Sequence, residues 1–292
     1  MKSVEVLKVD AFTNRPYRGN PAGVVLDAEG LGDGEMLQLA RELNTSETAF
    51  VLPSRKADLM ARFFAPGGEV PLCGHATVAA FHALAEEGLV PIREGVNRFR
   101  QETGAGVLGV EVRVREGRVE RVSMEQRPPR FLSTEIDIGR MARLLGTETR
   151  HLAGPPCAVS TGLPVLLVGL KSLKKLSSLR PDMPGLKTLC GGEGLAGVHC
   201  FTAETLNPEA RVHARFFAPA LGIPEDPVTG TANGSLGAYL AGGKDLEIAC
   251  EQGYSVGRPG LVFVEVKARG GRMRVKVGGN AVTVLRGDML VG

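Results

Sequence analysis

Apolar and polar residues alternate along most of this chain, which is the pattern of half-exposed β-strands. Clear examples are KSVEVLKVDAF, VLGVEVRV and GLVFVEV. Turn glycines separate many of these segments, so we expect mostly antiparallel strands. Helical periodicity is confined to three stretches, residues 34–44, 73–89 and 229–243. The pattern therefore predicts an α+β fold in which strands outnumber helices.

A duplicated segment organises the chain. The hexapeptide ARFFAP occurs at residues 61–66 and again at 214–219, followed by EVPLCGHA in the first half and EDPVTGTA in the second. Aligning these segments matches Gly74 with Gly230 and Cys73 with Thr229. A repeat of about half the chain is too long for a solenoid and indicates two similar domains.

Each copy of the repeat is followed by one of the long helical stretches. Both helices are rich in small apolar residues (AAFHALA and SLGAYLA) and lie among strand patterns. We therefore expect a central helix enclosed by a curved or barrel-like sheet in each of two pseudo-symmetric domains. The proline-containing linker EQRPPRF predicts domains at residues 1–126 and 129–292, with the last strand free to return to the first domain.

Composition excludes several classes of protein. Hydrophobic residues make up 43% of the chain, the net charge is only +3, and the basic residues are scattered, which argues against a nucleic-acid partner. The start lacks the apolar block of a signal peptide, and no apolar run is long enough for a membrane span. The five cysteines contain no C-x-x-C pair, so neither a disulfide scaffold nor a structural zinc site is expected. We expect a soluble cytoplasmic protein with no nucleic-acid or membrane partner.

Two glycine-rich stretches, GAGVLG and GGEGLAG, match the spacing of a dinucleotide-binding loop. Such a loop must leave a strand and open a helix, so that helix amides face the pyrophosphate. Both stretches run into strand patterns instead. They are interpreted as turns, and no cofactor is expected.

Candidate chemistry lies where the two long helices begin. The segments CGH and TGT both stand at predicted helix N-termini, where unpaired amides and the positive end of the helix dipole favour an anion. Gly74 and Gly230 would let a ligand approach the backbone closely. The two helix ends together predict a site for a small carboxylate between the domains.

Several longer segments carry a resemblance to a known family. They are VDAFTNRPYRGNPAGVV, NTSETAFV, FFAPGGEVPLCGHAT, GIPEDPVTGTANG and EQGYSVGRP. Together they resemble the signature segments of the PhzF-like (phenazine biosynthesis) family, which belongs to the wider diaminopimelate epimerase and proline racemase fold. The resemblance runs from about residue 8 to about residue 288. It implies two similar domains, each an antiparallel barrel-like sheet around a central helix, with the active site between them.

The resemblance also implies roles for individual residues. Glu47 in the S-E-T segment corresponds to the acid/base, and its position before an apolar strand leads us to expect a raised pKa. The other implied catalytic residues are His75, Asp226 and Thr231, and Thr231 stands where the best-known member has Ser. The residues implied to bind substrate are Asn20, Cys73, Gly74, Thr229 and Gly230.

The function expected from these residues is that of a cofactor-independent and metal-free isomerase. It would move a proton between carbons of a small carboxylate through Glu47, and a homodimer is one option for its assembly. One alternative is an amino-acid epimerase or racemase that uses Cys73 with Glu47. A symmetric pair of thiols is excluded because Thr229 stands where the second cysteine would be. The other alternative is a non-catalytic protein that binds a small ligand.

Overall fold

The computed structural model describes residues 2–292. Packing divides the chain into two compact units, unit 1 with Met1–Glu125 and Gly278–Gly292, and unit 2 with Gln126–Val277. The sequence predicted a break within residues 126–129 and allowed the last strand to return. In the structure the chain passes from unit 1 to unit 2 after Glu125, and its last fifteen residues belong to unit 1.

Within residues 2–125 the structure contains eight strands and two helices. In order they are β1 (Lys2–Ala11), β2 (Asn20–Val25), α1 (Asp33–Leu43), β3 (Thr48–Leu52), β4 (Leu59–Ala65), β5 (Gly68–Val70), α2 (Gly74–Glu86), β6 (Gly95–Thr103), β7 (Gly106–Arg115) and β8 (Arg118–Glu125).

The second part adds four helices and the remaining strands. They are β9 (Arg130–Leu132), α3 (Ile138–Leu144), β10 (Cys157–Ser160), β11 (Pro164–Gly169), α4 (Leu173–Ser177), α5 (Met183–Glu193), β12 (Gly197–Thr202), β13 (Val212–Ala218), β14 (Ile223–Asp226), α6 (Gly230–Ala241), β15 (Leu246–Gln252), β16 (Gly260–Arg269), β17 (Arg272–Gly279) and β18 (Ala281–Val291). Short 3₁₀ helices lie at Thr149–His151, Pro219–Leu221 and Tyr254–Val256.

The two units share one order of strand pairing. In unit 1, β1 pairs antiparallel with β2, β2 parallel with β3, β3 antiparallel with β4, and β4 parallel with β6. In unit 2 the same sequence of pairings joins β10, β11, β12, β13 and β15. Each parallel pair follows a crossover through a helical segment, as parallel neighbours require. Most strand pairs are antiparallel, as predicted, and the sheets also contain these four parallel pairs, which the sequence pattern did not indicate.

The repeated hexapeptide forms equivalent structures in both units. Arg62 of β4 makes a two-point ion pair with Glu69, with nitrogen–oxygen distances of 2.8 and 2.7 Å, and its guanidinium lies over Phe64. Arg215 of β13 makes the corresponding ion pair with Glu225 at 2.9 and 2.8 Å. Its guanidinium likewise lies over an aromatic ring, that of Phe217. The matched contacts support an internal duplication.

A buried helix lies at the centre of each unit. Every residue of α2 from His75 to Ala85 is buried, and the helix packs against β1, β2, β3, β8 and β18. The helix α6 packs against β10, β11, β15 and β16. It comes so close to β16 that a Cβ atom at Gly237 would lie 2.5 Å from a methyl carbon of Val264. A side chain there would force the helix away from the sheet.

A second hydrophobic layer lies outside each sheet. In unit 1, α1 buries Met36, Leu39 and Ala40 in a cluster with Phe50 and Phe64. In unit 2 the equivalent layer consists of α3, α4 and α5, which the sequence analysis did not predict. These helices are short, and α5 contains a proline and three glycines, which disfavour helix in isolation. Burial of their leucines stabilises them in the fold.

The glycine-rich stretches lie at ends of elements. The first covers the turn after β6 and the start of β7, and the second covers the end of α5 and the turn into β12. Within residues 2–292, no helix is both long and apolar enough to span a membrane.

Candidate active site

A short turn between α1 and β3 fixes the position of Glu47. The helix α1 ends at Leu43, and its C-cap residue Asn44 adopts a left-handed conformation (φ 47°). The Thr45 hydroxyl then donates a hydrogen bond to the Glu47 carbonyl (2.9 Å) and accepts one from the Gly23 amide (3.1 Å). The Gly23 amide also donates to the Glu47 carbonyl at 3.1 Å. The backbone of Glu47 is thereby held at the edge of β2.

Gly23 has to be glycine for this turn to form. A Cβ atom at this position would lie 2.5 Å from the Thr48 hydroxyl oxygen. Thr48 is fully buried, and Ala49, Phe50 and Val51 continue the apolar strand behind it. Since the strand cannot move outward without losing its core contacts, a side chain at Gly23 would displace Glu47.

The start of α2 supplies the partners of Glu47. Cys73 is the N-cap residue, and His75 lies in the first turn of the helix. Five alanines favour helix over the following residues. The Cys73 side chain does not cap the helix, and the Thr77 hydroxyl donates to the Cys73 carbonyl at 2.8 Å. The thiol is thereby left to face the histidine.

The imidazole of His75 lies between the thiol of Cys73 and the carboxylate of Glu47. Its Nδ1 atom is 3.3 Å from Cys73 Sγ, and its Nε2 atom is 3.4 Å from Glu47 Oε2. The second contact has the distance of an ion pair but lacks the alignment of a hydrogen bond. The side chains of His75 and Glu47 are 9% and 19% exposed. The cluster is therefore almost closed to water yet reachable at the carboxylate.

Burial lowers the pKa of His75 to about 4. The ring is therefore neutral near pH 7, because a desolvated imidazolium is less stable than the neutral form. A neutral imidazole has one donor nitrogen and one acceptor nitrogen. In this position it can accept from the thiol while donating toward the carboxylate, or the reverse. A proton could pass between Cys73 and Glu47 through the ring once the contact between His75 Nε2 and Glu47 Oε2 is aligned as a hydrogen bond.

The same three side chains could also hold a metal ion. One ligand atom from each of Glu47, Cys73 and His75 falls within a group whose members are all within 4.8 Å of one another. Thiolate, imidazole and carboxylate are all ligands of zinc. The sequence spacing did not suggest this set, because Glu47 comes from a distant turn. The expectation of a metal-free site stays a prediction.

The predicted residues of unit 2 gather at the start of α6. Asp226, the last residue of β14, is buried, and its carboxylate accepts a short hydrogen bond from the Thr229 hydroxyl. Thr229 is the N-cap residue of α6, and Gly230 and Thr231 form its first turn. Both Thr229 and Thr231 are half-buried. Thr229 thus occupies in α6 the place that Cys73 occupies in α2.

Asn20 is the first residue of β2 in unit 1. It is fully buried and stands opposite Ala11 of β1. His82, which the sequence analysis interpreted as a packed helix residue, is buried in α2, with its Nε2 atom 3.2 Å from a Glu86 oxygen.

Three buried side chains near Asp226 were missed by sequence reasoning. Gln252 at the end of β15 donates to the Asp226 carbonyl and the Thr229 hydroxyl at 3.0 and 3.2 Å. Asn233 of α6 connects Gln252 to His199 of β12. The segments that carried the family resemblance include Gln252 and Asn233, but a buried amide has no spacing signal that identifies its partner.

Comparisons with known proteins agree with these features. The chain is 39% identical to the uncharacterized isomerase YfhB of Bacillus subtilis (strain 168), over 97% of each chain. It is 33% identical to the trans-2,3-dihydro-3-hydroxyanthranilate isomerase of Pseudomonas chlororaphis, over 97% of this chain and 98% of that one. Its structure matches a crystal structure of a PhzF-family phenazine biosynthesis protein from Bacillus anthracis, with a TM-score of 0.92, 35% identity and full coverage of both chains.

These likenesses confirm the predicted fold class, two similar domains of the diaminopimelate epimerase type. They also confirm that the protein is an enzyme of the isomerase class. The family model described as phenazine biosynthesis-like protein (PhzC-PhzF) matches residues 9–287. The resemblance first read from the short segments therefore extends over nearly the whole sequence, and the chain belongs to the PhzC-PhzF family.

Proposed function

We propose that this chain is a cofactor-independent isomerase that moves a proton between two carbons of a small carboxylate, with Glu47 as the acid/base. The contact of Glu47 with the neutral ring of His75 is the observation that carries this proposal. The carboxylate stands at the most exposed point of an otherwise closed cluster, where a substrate carbon could reach it. A general base must come within hydrogen-bonding reach of the proton it removes.

The proposed proton transfer requires no oxidant or reductant. The Glu47 carboxylate removes a proton from one substrate carbon, and the electron pair of that carbon–hydrogen bond enters a conjugated enolate or dienolate. Protonated Glu47 then delivers a proton to a different carbon and returns to the carboxylate. Helix-end amides and hydrogen-bond donors can stabilise the negative charge that develops.

The residues of unit 2 have a binding role in this proposal. Asp226 would orient a ring or amino substituent of the substrate, while Thr231 and the amides at the start of α6 would hold its carboxylate. A carboxylate beside a helix N-terminus is favoured by the helix dipole and by unpaired amides. Gly74 and Gly230 would allow close approach of the ligand to the backbone.

The name of the Pseudomonas relative suggests where to look for the substrate. That protein is named for isomerising trans-2,3-dihydro-3-hydroxyanthranilate, a cyclic compound with a carboxylate and an amino group. We include this compound in the proposed substrate class. Other small carboxylates belong in the same class, because one site framework serves different substrates within a fold.

An epimerase-like reaction through the thiol is the second candidate. The 3.3 Å contact between Cys73 Sγ and His75 Nδ1 favours it, because the imidazole could accept the thiol proton. In that reaction the proton would return to the same carbon from the opposite side. The two candidates differ in their products, since one moves a double bond and the other inverts a stereocentre.

The deciding experiment follows both product and isotope. Purified enzyme is incubated in D2O with trans-2,3-dihydro-3-hydroxyanthranilate and with a panel of amino and unsaturated carboxylates, and NMR locates any new carbon–deuterium bond. We expect a shifted double bond with deuterium at the new position, abolished in Glu47→Gln. Inversion at one carbon, abolished in Cys73→Ala but not in Glu47→Gln, would overturn the proposal. Activity that chelation removes and zinc restores would contradict the metal-free mechanism.

A further inference from the structure

A continuous chain of buried polar side chains crosses unit 2 and ends at Asp226. His199 Nε2 lies 3.3 Å from Asn233 Oδ1, and Asn233 Nδ2 lies 2.9 Å from Gln252 Oε1. Gln252 Nε2 lies 3.2 Å from Thr229 Oγ1, and that hydroxyl contacts Asp226 Oδ2. His199, Asn233 and Gln252 are completely buried. Buried groups of this kind are stable only when donors meet acceptors.

Backbone atoms determine which way each amide points. The Thr229 amide can only donate, so the atom of Gln252 that faces it at 3.2 Å must be the carbonyl oxygen. The NH2 group of Gln252 then donates to the Asp226 carbonyl. Asn233 presents its NH2 group to the Thr229 carbonyl at 3.0 Å and to Gln252 Oε1. Its own oxygen must therefore face His199.

The orientation of Asn233 determines the tautomer of His199. Burial lowers the pKa of this histidine to about 4, so the ring carries one N–H near pH 7. Asn233 Oδ1 can only accept, so the proton is on Nε2. In the described part of the chain, the buried Nδ1 atom has no hydrogen-bond partner, which agrees with an unprotonated nitrogen. In each hydrogen bond from His199 to Asp226, the donor is thus the residue farther from Asp226.

The last hydrogen bond of this series, from Thr229 to Asp226, lies at the candidate site. A threonine hydroxyl has one proton to donate. Because Thr229 Oγ1 accepts from Gln252, its proton is directed to Asp226 Oδ2. With the NH2 group of Gln252 removed, the hydroxyl could rotate toward other acceptors and the carboxylate would lose its fixed donor.

We propose that Gln252, supported by Asn233 and His199, is a positioning residue that commits the Thr229 hydroxyl proton to Asp226. Asp226 is thereby kept in one rotamer as a hydrogen-bond acceptor at the start of α6. This inference rests on the proposed function only where it takes Asp226 as a substrate contact. The donor chain itself follows from contacts within unit 2.

Unit 1 provides a matched control for this proposal. Gln101 of β6, the strand parallel to β4, is also fully buried and donates to the Thr77 hydroxyl at 3.2 Å. Thr77 in turn donates to the Cys73 carbonyl. This shorter series of hydrogen bonds ends at the backbone carbonyl of Cys73 and does not include the Cys73 side chain. Replacing Gln101 therefore removes a fully buried amide without touching the donor of Asp226.

The first test is spectroscopic and needs no substrate. Nitrogen NMR of histidine-labelled wild-type enzyme should show His199 as the neutral Nε2–H tautomer at pH 7. A slowly exchanging hydroxyl proton, absent in Thr229→Val, should report the Thr229–Asp226 bond. Gln252→Glu, which keeps the acceptor and loses the donor, should remove this signal, whereas Gln101→Glu should keep it. An Nδ1–H tautomer in the wild type, or an unchanged hydroxyl signal in Gln252→Glu, would overturn the proposal.

The second test uses whichever panel compound the wild-type enzyme converts. Misplacement of a contact can reduce rate by about 10²-fold. We therefore expect Gln252→Met to lower kcat/KM by about that factor, with most of the loss in KM. Gln101→Met, which leaves the donor of Asp226 in place, should cause a much smaller loss. Equal losses in both variants would show a structural role only. If no compound is converted, the proposed function fails, while the NMR result still decides the donor chain.

Discussion

Glu47 and His75 meet through Oε2 and Nε2 at 3.4 Å, on the side of the ring opposite Cys73. Replacing the carboxylate with an amide removes the acid/base while keeping nearly the same shape. We expect Glu47→Gln to retain ligand binding and to lower proton transfer by at least ~10²–10⁴-fold. Isothermal titration with the substrate and single-turnover rates would separate the two effects. A rate within tenfold of wild type would contradict the assigned role.

Cys73 is expected to matter less than Glu47 for the isomerisation. A serine hydroxyl can still hydrogen-bond to His75, so Cys73→Ser should keep the first turn of α2 and leave proton transfer within about tenfold of wild type. Circular dichroism would check the fold, and the exchange assay would give the rate. A loss of several orders of magnitude with an intact fold would favour the epimerase-like reaction.

Asp226 should affect binding as well as turnover. Asp226→Asn keeps the size of the side chain but removes the charge that accepts from the Thr229 hydroxyl. Because a positioning contact acts before the chemical step, we expect both a raised KM and a lowered kcat. If kcat alone falls, Asp226 acts in the chemical step itself.

Acid should destabilise the protein through two buried histidines. His75 and His199 both have a folded pKa of about 4, below the ordinary value of 6.5. Between these values the unfolded chain binds more protons, so this contribution to stability is complete above pH 6.5 and is lost as the pH falls toward 4. At pH 5 each histidine should lower the free energy of unfolding by about 2 kcal/mol relative to neutral pH. Urea unfolding at pH 7.5 and pH 5 should show a smaller pH dependence in His75→Gln and in His199→Gln. An unaltered pH dependence in both variants would refute the linkage.

The two arginine–glutamate pairs should differ in their contribution to stability. The Arg215 and Glu225 side chains are 8% and 14% exposed, whereas those of Arg62 and Glu69 are 24% and 44% exposed. Breaking a buried pair leaves an unpaired charge and costs about 3–5 kcal/mol, while exposed pairs contribute about 0–1 kcal/mol. Glu225→Gln should therefore destabilise the protein more than Glu69→Gln. Equal free energies of unfolding would show that burial does not decide the difference.

The sequence predicted the parts of this molecule that depend on local pattern. The repeated hexapeptide and the two apolar helices were sufficient to predict the paired architecture, and the resemblance to PhzF-like segments supplied Glu47 and His75. The helices α3–α5 were missed because tertiary burial, rather than local propensity, stabilises them. The chain from His199 to Asp226 was missed because it joins residues from four separate elements. The partners of the Asn233 and Gln252 side-chain amides are set by backbone groups that come together only when the chain folds.

The pairing of β1 with β18 determines when the first half of the molecule can be completed during synthesis. The strand β1 (Lys2–Ala11) is synthesised before unit 2, whereas its partner β18 (Ala281–Val291) follows only after all of unit 2. Until then one edge of β1 lacks hydrogen-bond partners and Val291 is missing from the hydrophobic cluster beside α1. An unpaired strand edge promotes aggregation. The nascent chain therefore passes through a stage in which all of unit 2 has been synthesised while the part that carries Glu47, Cys73 and His75 is still incomplete.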